Sequence, residues 1–210
     1  MRKKGWIRGK YHNDIGGNNA DKAYRVWIGM IKRCEGGYQE CYQGVTLCDE
    51  WHTLSNFKRW YDRQECPDNW QVDKDFLHKG GSKVYSHTTC TMIPSYVNSV
   101  IGFRDIVNSN GVRGVTKAYE SVKGKGTLYV AAVSEFRRDG KVRIIKTRGK
   151  DSKDLHHWYQ RTKANQIENC RNYYAREQKA DSRVLERMTE IAWWLRLKSD
   201  QGVITNHIDI

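Results

Sequence analysis

Two alternating runs, Leu128-Tyr-Val-Ala-Ala-Val133 and Lys141-Val-Arg-Ile-Ile-Lys146, flank the turn Arg137-Arg-Asp-Gly140. Alternation at period two sends successive side chains to opposite faces of a strand, and Asp-Gly between two such runs marks a hairpin. The pattern demands an antiparallel sheet with at least one face to bury. Upstream, Asn110-Gly111-Val112-Arg113-Gly114-Val115 leads into a further strand. Downstream, a helix is expected from about Ser152 through Leu155, Trp158, Tyr159 and Ile167. Asp181 then caps an amphipathic helix to Lys198, with Val184, Leu185, Met188, Ile191, Ala192 and Leu195 on one face and Trp193 and Trp194 broadening it. Its default partner is the preceding helix, a dimer partner being the other option. The tail Gly202–Ile210 is expected to fray.

The first half reads differently. Residues 1–19 are basic and then Gly/Asn-rich, the pattern of a flexible or wrapping arm. Asp21 can cap a helix through about Arg33, with Tyr24, Trp27, Ile28 and Ile31 at helical spacing, and Gly36-Gly37 ends it. Val45 to Trp51 is a short turn or strand. Leu54, Phe57, Trp60 and Tyr61 mark a second helix ending before Pro67. Trp70 to Leu77, a Gly-rich loop from His78, and Val84 to Pro94 then read as strand, loop, strand. Pro94 suits the first turn of a helix carrying Val97, Asn98, Ile101 and Ile106.

Charge narrows the function. Lys+Arg number 37 against 24 Asp+Glu, a net +13, and residues 101–210 hold the larger share of the excess. Such a surplus attracts polyanions, nucleic acid first among them. Eight Trp, twelve Tyr and two Pro argue against wholesale disorder. No run approaches the roughly 18 apolar residues of a membrane span, and Met1-Arg-Lys-Lys-Gly-Trp has no apolar stretch of a secretory signal. A folded cytoplasmic protein is expected. Its six cysteines are then read as buried thiols rather than disulfides. Cys34, Cys41 and Cys48 are evenly spaced, with Cys66, His52 or Cys90 as a possible fourth ligand. The close ligand pairs of structural zinc sites are missing, which argues against structural zinc.

Tyr24, Trp27, Met30, Arg33-Cys34, Glu50-Trp51, Phe57, Trp60, Asp73-Lys74-Asp75, Tyr85-Ser86, Cys90, Pro94 and Asn98 follow one another in an order that resembles the phage-encoded, homing-type HNH endonucleases. The resemblance covers about residues 20–101. The later stretch "G-V-R-G-V … Y-V-A-A-V … D-G-K" resembles the apetala-two-type DNA-binding domain, with Tyr129 in place of the usual second-strand tryptophan. The implied fold class is α+β: N-terminal helices and a ββα-metal module, then a three-stranded sheet with a helix and a C-terminal amphipathic helix. The implied division is a 1–19 arm, a 20–107 nuclease domain, a 108–180 DNA-binding domain and a 181–210 helix and tail.

By that resemblance Asp73 and Asn98 hold one divalent ion, Mg²⁺ or Mn²⁺, on a scissile phosphate. Thr89 stands where the motif has a loop-pinning asparagine, and Lys74 where it has the histidine that activates water. Lysine, ordinarily titrating near about 10.4, is protonated at pH 7 and is no base. Three readings stay open. Lys74 clamps phosphate while His87 or His78 acts as base; metal-bound water needs little help; or the site is degenerate and the protein only binds DNA. For the sheet, Arg113, Lys117, Arg137, Arg138, Lys141, Arg143, Lys146 and Arg148 are the candidate DNA contacts, since outward-facing Arg reads guanine and Lys grips phosphate. The expected function is a metal-dependent DNA endonuclease acting on double-stranded DNA, with no small-molecule substrate and a monomer favoured. The alternative is a catalytically degenerate DNA-binding or regulatory protein.

Overall fold

The computed structural model describes residues 4–35, 42–78, 81–102, 112–120 and 126–205, with 119 and 120 described by backbone alone. Gly36-Gly37, Cys41, Ile106 and Asn110-Gly111 lie outside the described residues, as do Lys79-Gly80 of the Gly-rich loop and the last five residues of the tail. The fold is α+β, and the chain forms two compact units, Met1–Ile93 and Pro94–Ile210. The sequence pattern places the division at 107/108; the packing places it ahead of the helix that carries Asn98.

In the first unit, β1 (Gly5–Ile7) and β2 (Tyr11–Asn13) form an antiparallel hairpin where a flexible or wrapping arm was expected. Tyr11 and Asn13 are buried, which ties the hairpin down. Helix α1 (Lys22–Glu35) begins where the Asp21 carboxylate accepts the Ala23 N–H at 2.9 Å. It buries Tyr24, Trp27, Met30 and Ile31, which recur at helical spacing. β3 (Thr46–Leu47), a 3₁₀ turn (Asp49–His52) and α2 (Leu54–Arg63) follow. β4 (Trp70–Asp73) pairs with β6 (Thr91–Pro94), whereas β5 (Val84–Tyr85) pairs with β3 in parallel. The expected single second strand is therefore two strands serving different sheets. The core is aromatic: Tyr11, Tyr24, Trp27, Trp51 and Phe57 are all at most 1% exposed.

The second unit opens with α3 (Ser95–Ile101). β7 (Val115–Glu120), β8 (Thr127–Phe136) and β9 (Val142–Gly149) make the antiparallel sheet that the alternation predicts, in the order β7-β8-β9. Its turn is closed by Gly140, at φ 76°, donating to the Arg137 carbonyl. Helix α4 (Ser152–Tyr174), capped by Asp151, lays Leu155 and Tyr159 on Val115, Ala131 and Val133. The fit is close. A Cβ on Gly114, at φ 73°, would meet the Tyr159 ring at 2.3 Å. Helix α5 (Ser182–Asp200), with Asp181 as cap, packs along α4 as the default expectation had it. Trp193 is 62% exposed and does not broaden the buried face. No helix among the described residues is long and apolar enough to cross a membrane.

The near end of the tail is docked rather than frayed. Buried His156 on α4 donates through Nδ1 to the Arg113 carbonyl at 2.9 Å and accepts the Thr205 N–H on Nε2 at 3.0 Å. Gln160 donates to the Val203 carbonyl. Both ring nitrogens are thus used by the neutral imidazole, and a second proton would face an N–H donor. Burial, helped by the nearby His157 and Arg113 charges, holds this imidazole below its ordinary range. The unfolded chain takes up a proton near about pH 6.5 and the folded chain only at lower pH, so stability is full above that range and falls on acidification. A shallower decline in melting temperature between pH 7 and 5 is expected for His156→Asn than for the parent. Parallel curves for the two proteins would remove His156 as the cause.

Candidate functional site

In the first unit the candidate chemistry gathers where β4 ends and where β3 and β5 end together. Asp73 closes β4. Its Oδ1 accepts the N–H groups of Asp75 and Phe76, both at 2.8 Å, and its Oδ2 takes no hydrogen bond among the described residues. Burial raises this carboxyl's pKa against the opposing pull of the two amides. A desolvated carboxylate with one oxygen open is a hard donor that suits Mg²⁺ or Mn²⁺, and Mg²⁺ is usually held by one or two carboxylates with phosphates and water completing its shell. Among the described residues no three His, Cys, Asp or Glu side chains converge. The thiols are disfavoured as thiolates: burial pushes Cys34 up to about 11 and Cys90 and Cys170 up to about 12. The donor that the end of β4 offers is therefore a single carboxylate oxygen of Asp73, a hard ligand.

Lys74 does not lie open to a phosphate. It is 5% exposed, and its ammonium donates to the Asp75 carboxylate and to the Ser82 carbonyl, the latter at 2.6 Å. Asp75 also accepts the Ser82 N–H at 2.9 Å, so Lys74 and Asp75 together hold the Gly-rich loop at Ser82. The ammonium lies 5.5 Å from the centre of the Tyr85 ring, whose other cation is Arg33 at 5.3 Å. His78, in the same loop, has a buried Nε2 with no hydrogen-bond partner among the described residues.

Thr89 stands where the resemblance implies an asparagine. Its hydroxyl donates to the Val84 carbonyl at 2.6 Å and accepts the Ser86 N–H at 3.1 Å, which pins the loop between β5 and β6. His87 sits at the exposed tip of that loop, its Nδ1 3.1 Å from Glu50 Oε2. Its Nε2 has no partner among the described residues. The pairing follows from topology. β3 and β5 are parallel, so the 3₁₀ turn after one and the loop after the other emerge at the same end, bridged by the Cys48 N–H on the Tyr85 carbonyl at 2.9 Å. Glu50 is absent from the sequence-derived site; only its place beside the inward Trp51 in the Glu-Trp pair pointed outward. Asn98, the second donor implied by the resemblance, is half-buried on α3 of the second unit, where its carbonyl accepts the Gly102 N–H.

In the second unit the strand register sorts the candidate DNA contacts. Val115, Ala131, Val133 and Ile145 face α4. Thr116, Val130, Ala132 and Ser134 therefore face the other way, with Ile144, Lys146 and Arg148 beside them on β9. Lys146 and Arg148 are exposed, Ile144 is 58% exposed, and the central positions between them are small. Arg138 and Lys141 are exposed at the turn and Lys117 on β7. Two expectations change. Arg113 is 5% exposed and engages Tyr159, so it belongs to the interior and not to a groove-reading face. Arg143, opposite Glu135 across the strands, donates to that carboxylate, which raises the guanidinium's pKa and neutralises its charge locally. Arg137 keeps a loose exposed pair with Asp139 at 3.7 Å.

Lys74→Ala should lower the urea midpoint of the whole chain by the equivalent of about 1–3 kcal/mol, the usual cost of losing charged hydrogen bonds from a buried position. An unchanged midpoint would show that the clasp holds nothing. No family model matches this chain, and comparison with curated proteins and with solved structures likewise gives no match.

Proposed function

We propose that this chain is a metal-dependent DNA endonuclease of the HNH type, acting on double-stranded DNA in the cytoplasm and guided by the basic face of its three-stranded sheet. The observation that carries the reading is Asp73, a desolvated strand-end carboxylate with one oxygen anchored by two amides and one open, in the motif order described above. A divalent ion bound there would polarise the scissile phosphate and offset the charge that builds on it. Asp73 would hold that ion. His87, oriented by Glu50, turns Nε2 outward to take a proton from an attacking water. Lys74 and Asp75 keep the loop closed, and Thr89 keeps His87 in place. Lys146 and Arg148, with Arg138 and Lys141 at the turn, meet the phosphates and base edges.

A second reading, DNA binding without cleavage, is favoured by one observation: the residue in the place of the family's base is an enclosed lysine already committed to its own loop.

Supercoiled plasmid incubated with Mg²⁺ or Mn²⁺, against EDTA, separates the two. Metal-dependent nicking is expected, lost by at least about a hundredfold in His87→Ala, the usual scale for a general base, and abolished in Asp73→Ala. DNA affinity in both variants should stay within a few-fold of the parent. Nicking that survives Asp73→Ala removes the assigned site, and a parent inert with both ions leaves binding as the function. Independently, Lys146→Ala with Arg148→Ala should flatten the salt dependence of binding by roughly one unit of slope for each phosphate no longer engaged. An unaltered slope would place the DNA contacts elsewhere.

A further inference from the structure

The N-terminal hairpin carries a feature that neither the nuclease reading nor the sheet uses. Its register pairs Gly5 with Asn13, Trp6 with His12 and Ile7 with Tyr11. Tyr11 and Asn13 turn inward and are buried, and Ile7 packs on the same core. The other face holds Trp6, 67% exposed, stacked on His12 with ring centroids 4.8 Å apart and planes 18° from parallel. One face of the indole is backed by a ring held on a paired strand. The rest of it meets water. The hairpin tip is Arg8-Gly9, both at positive φ, and the Lys10 N–H returns to the Ile7 carbonyl at 3.3 Å. Lys4, Arg8 and Lys10 are exposed around Trp6, and no acidic residue lies between Lys4 and Asn13. Lys10 has a loose contact with Glu35 at 3.9 Å that leaves half its side chain exposed.

We propose that Trp6, backed by His12, is a stacking platform for an unpaired DNA base, with Lys4, Arg8 and Lys10 on the flanking phosphates. The chemistry is direct. Every nucleobase offers a π face, so a rigid exposed indole binds it without regard to sequence, and the cations follow the backbone on either side. Trp6 suits this role because its ring is already ordered by His12, so little freedom remains to be lost on binding. The proposal rests on the DNA reading above. It adds a contact for a strand that is frayed, nicked or opened, distinct from the duplex contacts of the sheet.

The test uses the full chain and two labelled DNAs, a blunt duplex and the same duplex with a single-stranded tail, with affinity read by fluorescence anisotropy. The parent should bind the tailed DNA more tightly. Trp6→Ala should remove that preference, a loss of about tenfold on tailed DNA, the scale of one stacked base, while blunt-duplex affinity changes by less than about twofold on the same reasoning. Trp6→Phe should retain most of the preference. Because the Trp6 ring is exposed, the melting temperature should hold in both variants. A parent without preference for the tailed DNA overturns the proposal, as does equal tailed-DNA affinity in Trp6→Ala. A change in sedimentation on Trp6→Ala with no change on either DNA assigns the face to a second copy of the chain, and so overturns it too. A parent that binds neither DNA fails differently: the DNA reading itself falls, and the platform with it.

Discussion

Inside the first unit the Trp27 indole N–H donates to the Trp51 carbonyl at 2.7 Å, with both residues out of solvent. Much of that unit depends on this contact and the rings around it. Its strands are two to four residues long and paired in twos, too short to hold themselves together in water. The rings supply what the strands lack. Trp51 meets Phe57 edge-on at 5.0 Å and Trp60 at 4.8 Å, and Tyr11 meets Trp27 edge-on at 6.4 Å. Each such pair adds roughly 0.5–1.5 kcal/mol beyond the area it buries. The bond between the two tryptophans fixes the 3₁₀ turn against α1, and the turn carries Glu50. The geometry of the Glu50–His87 pair therefore originates in the aromatic core.

The second unit solves its packing by a different route. A longer sheet is covered on one face by α4, and α5 closes over α4 in turn. The other sheet face is left with long basic side chains at its edge strand and small residues along its centre, a shape open to a polyanion. The same unit buries charge in its interior. Lys163 is almost fully buried, donates to the Val100 carbonyl, and is pushed down to about 7 by burial and by the nearby Arg113 charge. The basic excess of the second half of the chain is thus divided between an exposed sheet face and an interior where Lys163 holds a backbone carbonyl.

Local pattern carried a good part of this into the sequence. The hairpin through Asp139-Gly140 forms where alternation places it, because period two and a positive-φ glycine are dictated by neighbours in the chain. Helices α1, α4 and α5 begin at aspartate caps, and α2 follows its apolar face, for the same reason. At the candidate site, Asp73 stands on its strand and Thr89 pins its own loop, since both interactions reach no more than five residues along the chain.

What the sequence left undecided is what long-range packing decides. An exposed ammonium and one enclosed by Asp75 and Ser82 look the same in a string of letters, and so do a groove-reading arginine and Arg113 under Tyr159. The parallel pairing of β3 with β5, separated by 38 residues along the chain, brings Glu50 to His87, and no local periodicity encodes it. The tail holds to α4 because buried His156 and Gln160 need partners that only an extended backbone from the far end of the unit supplies. Secondary structure and the order of the motifs were written in short-range chemistry. Which charges stay free for a ligand and which are consumed by the fold was settled only when distant segments met, because burial and hydrogen-bond partners are properties of the assembled chain.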